Sequence, residues 1–208
     1  KKFYKLDEFN KFGFKNGLLY RSETGHAIAI RLEKELLESL RAVDYRVKYE
    51  NRDGYSVYKL SSPKNNSFIE VVPRIGNTII RMVKVLNGKT YEVLSKPDNL
   101  QQLKDGKFAY GIPVLWPFAN RIKGDGKTAS FIFEGKKHDV MVNWKNDENA
   151  IHGMVYDKEW KVEEIDQSED SIRIKCYLDT KDHQEILRSF GHLKITMIYT
   201  IKDGELVI

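Results

Sequence analysis

The sequence predicts a mainly β protein: a sandwich of large antiparallel sheets from about residue 45 onward, with an N-terminal helical appendage. Three observations carry this. Many short runs alternate apolar and polar side chains, glycine and asparagine turns separate them, and one stretch alone repeats with helical spacing. At 208 residues the chain can bury a core of its own.

Residues 1–24 are aromatic and basic with weak periodicity and support no assignment. From Thr24 to Ala42 a helix is predicted, because Ile28, Leu32, Leu36 and Leu40 recur every four residues, Leu37 widens the stripe, and Arg31, Lys34, Glu35 and Glu38 lie off it. Thr24 is placed to cap its start. After Asp44 the period changes to two. Tyr45, Val47 and Tyr49 alternate, Asn51-Arg52-Asp53-Gly54 supplies a turn, and Tyr55 and Val57 follow. Strands are expected at Ser67–Val72, Thr78–Leu86 and Thr90–Leu94, with Asn87-Gly88 turning the last pair. Further strands are expected at Ala129–Phe133, Asp139–Val142, Trp160–Ile165, Ser171–Leu178, Leu193–Ile201 and Glu205–Ile208, the last two joined through Lys202-Asp203-Gly204. We therefore divide the chain into an extension, residues 1–44, and a sandwich, residues 45–208.

Composition narrows the function classes. The single Cys176 alternates with Ile172, Ile174 and Leu178, which predicts a buried structural thiol; one cysteine permits no intrachain disulfide and suits a reducing, cytoplasmic setting. No run approaches the ~20 apolar residues that a membrane helix needs, so no membrane partner is expected. The net charge of +5 is no nucleic-acid signal: residues 61–208 hold 22 Lys and Arg against 21 Asp and Glu, with the signs interleaved. No His, Cys or carboxylate pair shows a metal-ligand spacing, and neither metal nor cofactor is expected. Nothing in the sequence defines an oligomeric state.

The chemistry-bearing stretch runs from Gly111 to Gly153. Pro113 and Pro117, four apart, each remove a ladder donor, so the segment between them should be a stiff edge or loop presenting Asn120 and Arg121. A sugar site needs flat aromatic surface and forked donors and acceptors, which Trp116, Phe118, Asn120 and Arg121 can supply. On spacing alone the same residues read more readily as core aromatics and a surface ion pair, since most aromatics and arginines are structural. Ile151-His152-Gly153 is similarly open. Imidazole exchanges protons near neutrality, yet a single histidine is more often structural; Gly153 allows an unusual backbone angle or a close ligand approach.

Read together, these segments resemble the aldose 1-epimerases (galactose mutarotases). The resemblance rests on Gly111-Ile112-Pro113-Val114-Leu115-Trp116-Pro117, Asn120-Arg121-Ile122, Phe131-Ile132-Phe133-Glu134-Gly135, Ile151-His152-Gly153 and Trp160, with Phe68–Gly76 before them and Leu193–Ile208 after. It covers residues 58–208 and implies a galactose mutarotase-like sandwich. It further implies an isomerase that interconverts the α and β anomers of a free hexose by acid/base ring opening, in carbohydrate metabolism. Asn120 and Arg121 would hydrogen-bond the sugar hydroxyls, His152 would contact the sugar near the reacting centre as the catalytic histidine, and Trp116 would line the same pocket.

In that family the acid is a second histidine and the base a glutamate near the C-terminus, and neither has a match here. The sandwich thus looks C-terminally incomplete beside the family pattern. His183 is expected in an exposed polar loop, His192 at a strand mouth, and His138 and His26 in structural or surface positions. Two other functions stand beside the first. A hexose-6-phosphate epimerase relative would use Arg74, Arg81 and Lys123 for the phosphate, although such relatives tend to lack Asn-Arg-Ile. A non-catalytic carbohydrate-binding module would bind sugar without accelerating anomer exchange.

Overall fold

A computed structural model describes residues 12–15, 18–21, 30–31, 47–62, 65–106, 108–144, 148–168 and 170–208, in the first three segments through the backbone. The chain divides into two compact units, 1–44 and 45–208. In the first, β1 (Phe12–Lys15), β2 (Leu18–Arg21) and β3 (Ile30–Arg31) form an antiparallel sheet in that order, with Leu19 opposite Ile30. Ile30 and Arg31 belong to the stretch where a helix was expected, and there the expectation fails: they are extended and paired. Cross-strand pairing of a β-branched residue outweighs a weak helical preference. The rest of Thr24–Ala42, and His26, lie outside the described residues.

The second unit is built on two antiparallel meanders. The first contains β4 (Val47–Arg52), β5 (Tyr55–Ser61), β6 (Phe68–Val72), β7 (Thr78–Leu86) and β8 (Lys89–Glu92) in sequence order. Its turns use left-handed residue pairs, Asp53-Gly54 and Asn87-Gly88, as a two-residue hairpin demands. The second meander contains β13 (Lys161–Gln167), β14 (Ser171–Asp179), β15 (Lys194–Lys202) and β16 (Glu205–Val207). Alternation fixes which face is buried. Leu60, Ile69, Val71 and Ile79 of the first sheet share one core with Ile172, Ile174, Cys176, Leu178, Tyr199 and Ile201 of the second. Trp160, fully buried among them, satisfies its indole N–H on the Val155 carbonyl at 3.3 Å. Tyr199 donates to the Asn77 carbonyl at 2.7 Å across the core. Cys176 is buried as expected, and burial pushes its thiol up to about 12.

On the other face of the first sheet a bulge at Glu70/Val71 sets Glu70 opposite Arg81. Glu70 is buried, with the Arg52 guanidinium at 2.8 Å and that of Arg81 at 3.6 Å; Arg81 also binds Glu92. A buried carboxylate requires such neighbours. Beside them, helix α1 (Leu100–Gly106) lays Leu100 and Leu103 on Val57, Val72, Ile75 and Ile80. Asn99 caps it, its side-chain oxygen accepting from the Gln102 amide at 2.8 Å. Helix α2 (Gln184–Phe190), preceded by a 3-10 turn at Thr180–Asp182, buries Ile186 and ends on Gly191. The polar run at 181–185, expected as a loop, is therefore partly helical, held by the apolar residues that follow it. Among the described residues no helix is long and apolar enough to cross a membrane.

Two short pairs complete the unit: β10 (Thr128–Phe133) with β11 (Lys136–Met141), and β9 (Arg121–Ile122) with β12 (Ala150–Ile151). The second of these builds the site.

Candidate functional site

Gly111–Asn120 runs irregularly, as its prolines dictate, and is tied to the first sheet by reciprocal bonds between Ile112 and Ile79 at 2.8 and 3.2 Å. The Trp116–Pro117 peptide is cis. β9 then pairs with β12, Arg121 opposite Ile151. This pairing brings the Asn-Arg and His-Gly motifs together. The His152 amide donates to the Asn120 carbonyl at 2.9 Å, and the Asn120 amide donates to His152 Nδ1 at 3.0 Å. Both residues are left-handed, with φ of 64° and 59°. Two residues beyond His152, the Met154 amide donates to the Trp116 carbonyl at 2.8 Å.

The reciprocal bond settles the chemistry of the imidazole. A backbone N–H can only donate, so Nδ1 is the acceptor and the proton of the neutral ring sits on Nε2. Burial, and then the Arg121 charge, holds His152 below its ordinary value, so the neutral form prevails at pH 7. Phe108 packs edge-on to the ring, with centroids 4.5 Å apart, and also touches the Tyr156 ring at 4.6 Å and the Trp144 ring at 6.5 Å. Burial pushes the Tyr156 hydroxyl up to about 12.

Asn143 clamps the backbone of the same turn. Its amide nitrogen donates to the Ile151 and Gly153 carbonyls at 2.9 and 3.1 Å, and its oxygen accepts from the Ile151 amide at 2.7 Å. Asn143→Ala leaves these groups unmatched and is expected to destabilise by roughly 2–3 kcal/mol, read as a lowered urea midpoint with unchanged slope.

Of the four residues singled out from sequence, Asn120, Arg121 and His152 converge. Asn120 and Arg121 are exposed and His152 is half-buried, so the three make an open ledge. Trp116 stands differently: its ring lies half-buried, edge-on to Phe190 at 5.1 Å, and its carbonyl closes the turn. Phe118 packs against Phe131 at 5.9 Å. His138 is structural as expected, stacked on Phe131 and Phe190 and donating Nδ1–H to the Ser189 carbonyl at 3.0 Å. His192 meets Asp179 at 3.2 Å, and the His183 amide donates to the Thr180 carbonyl just before α2. Phe108 and Asn143 were not singled out from sequence. Asn143, polar at the end of an alternating strand, carried a faint signal; Phe108 carried none. Among the described residues no group of three or more His, Cys, Asp and Glu side chains is placed to hold a metal ion.

Residues 58–208 match the aldose 1-epimerase family as a continuous stretch. The chain belongs to that family. Solved structures share the aldose 1-epimerase fold seen here. A galactose mutarotase-like protein from Clostridium acetobutylicum superposes with a TM-score of 0.63 at 22% identity, over 77% of this chain and 46% of that one. Galactose 1-epimerase from Lactobacillus acidophilus NCFM superposes with a TM-score of 0.53 at 17% identity, over 76% and 44%. This aldose 1-epimerase family chain thus spans less than half the length of those two proteins.

Proposed function

We propose that the Asn120–Arg121–His152 ledge binds a free hexose and serves the interconversion of its α and β anomers. The reciprocal Asn120–His152 pair carries this reading, since it fixes the imidazole against the Asn120 backbone and, through the β9–β12 register, beside Arg121. The guanidinium of Arg121 offers forked donors to neighbouring hydroxyls, and the Asn120 amide offers one donor and one acceptor. His152 adds Nε2–H. Ring opening removes a proton from the anomeric hydroxyl while another reaches the ring oxygen. With Nδ1 engaged and Nε2 protonated, His152 donates to a sugar oxygen on which charge builds, instead of abstracting the anomeric proton.

The phosphate-ester reading has less support. Arg74 is paired with Glu159 at 2.8 Å, Arg81 is held by Glu92 and Glu70, and both charges are already matched. The outer face of the second sheet likewise pairs Lys175 with Glu163 and Arg173 with Glu164 and Asp166, which favours a neutral small molecule over a polyanion. A reducing compartment such as the cytoplasm suits the buried Cys176.

Polarimetry of freshly dissolved α-D-galactose and α-D-glucose tests the reading. Faster rotation change is expected; measured sugar binding without it would select the non-catalytic carbohydrate-binding alternative. The pH dependence has a definite sign. Protonation places a proton on Nδ1 and breaks the Asn120 bond, so hexose binding should weaken on acidification, with a midpoint below the ordinary imidazole value of 6.5. Titration calorimetry across pH 5–8 reads this, and a His152→Gln variant should lose that dependence.

A further inference from the structure

We propose that Phe108 is a positioning residue for His152: its ring holds the imidazole in the orientation that presents Nε2–H to the sugar. The inference rests on the sugar-site reading above. An imidazole hung on one side chain has two torsions, and a flip of the ring exchanges Nδ1 for a carbon. The Asn120 amide restrains one edge of the ring at 3.0 Å. Phe108 meets the ring from elsewhere, with centroids 4.5 Å apart and planes at 71°, the edge-to-face arrangement that aromatic quadrupoles favour.

Phe108 is itself backed. Its centroid lies 4.6 Å from that of Tyr156, a buried ring, and 6.5 Å from that of Trp144. A wall of this kind turns a single hydrogen bond into a fixed tautomer and a fixed direction. Phe108 also helps keep water from the ring, in line with burial being the first cause of the lowered His152 value. Phe108 lies just beyond α1, outside both motifs that carry the site.

Long-range proton–nitrogen correlation NMR of the imidazoles reads the tautomer directly, without sugar. The unmodified protein should show His152 with Nε2 protonated and Nδ1 bare. Phe108→Ala, and Phe108→Leu, which keeps bulk without the aromatic edge, should move that pattern toward the average of a free imidazole. Each should also weaken D-galactose binding roughly tenfold, the scale of one lost aromatic contact. Phe108→Tyr keeps the ring and should restore the tautomer pattern. A His152 pattern unchanged in folded Phe108→Leu overturns the proposal. The sugar-site reading fails separately, if His152→Ala binds galactose as the unmodified protein does.

Discussion

On the proposed sugar-site reading, replacing Arg121 and His152 together by alanine is expected to lower kcat/KM for α-D-galactose mutarotation roughly 10³-fold. The magnitude follows from what is removed. A hydrogen bond to or from a charged group is worth about 1.5–3 kcal/mol and a neutral one about 1 kcal/mol, so Arg121 is the larger loss. His152 adds a donor whose value grows as charge develops on the sugar oxygen. The two sit opposite and just beyond one another on the β9–β12 pair, with Arg121 opposite Ile151, so their effects should not add independently. Single variants are therefore expected to sum to more than the double variant loses. Polarimetry gives the rates and calorimetry the affinities. If the double variant keeps both, the ledge is not the sugar site.

The motifs were legible because each imposes a backbone demand that few residues meet. Asn87-Gly88 and Asp203-Gly204 read as hairpins, and both pairs are left-handed in the fold. Pro113 and Pro117 read as an irregular segment for lack of a donor, and that segment is irregular. The individual motifs of the site were visible in order, but not the bond between Asn120 and His152, 32 residues apart. That bond is a property of the β9–β12 register.

What escaped the reading was tertiary. α1 is seven residues long and buries Leu100 and Leu103 alone, too short a stripe for a helical period to emerge. Conversely, the stripe from Ile28 to Leu40 predicted a helix, yet Ile30–Arg31 pairs with β2, because a period is only a preference until a partner strand competes for it. Phe108 has no local signature at all. Its position matters through rings that lie 36 to 48 residues further along the chain.

Gly153→Ala is expected to be the most damaging single methyl in the site, at roughly 4 kcal/mol or more of stability. Two costs combine. Gly153 has φ of +77°, a left-handed angle that costs an alanine about 1–2 kcal/mol by itself. A Cβ there would also lie 2.0 Å from the Trp116 carbonyl oxygen and 2.4 Å from its carbon, which are backbone atoms. Relief requires parting the two segments, which breaks the Met154–Trp116 bond at 2.8 Å and disturbs the Trp116–Phe190 contact. Gly54→Ala is the matching control. Its φ is +81°, but nothing lies within 4 Å of the added atom, so only the angular cost of about 1–2 kcal/mol applies. Urea midpoints of the two variants separate the terms. Any Gly153→Ala protein that folds should also bind hexose more weakly, because parting Trp116 from Met154 draws Asn120 away from His152. Equal destabilisation by the two substitutions would refute the close packing of the His-Gly turn on the Trp-Pro segment, and with it the rigid placement of His152.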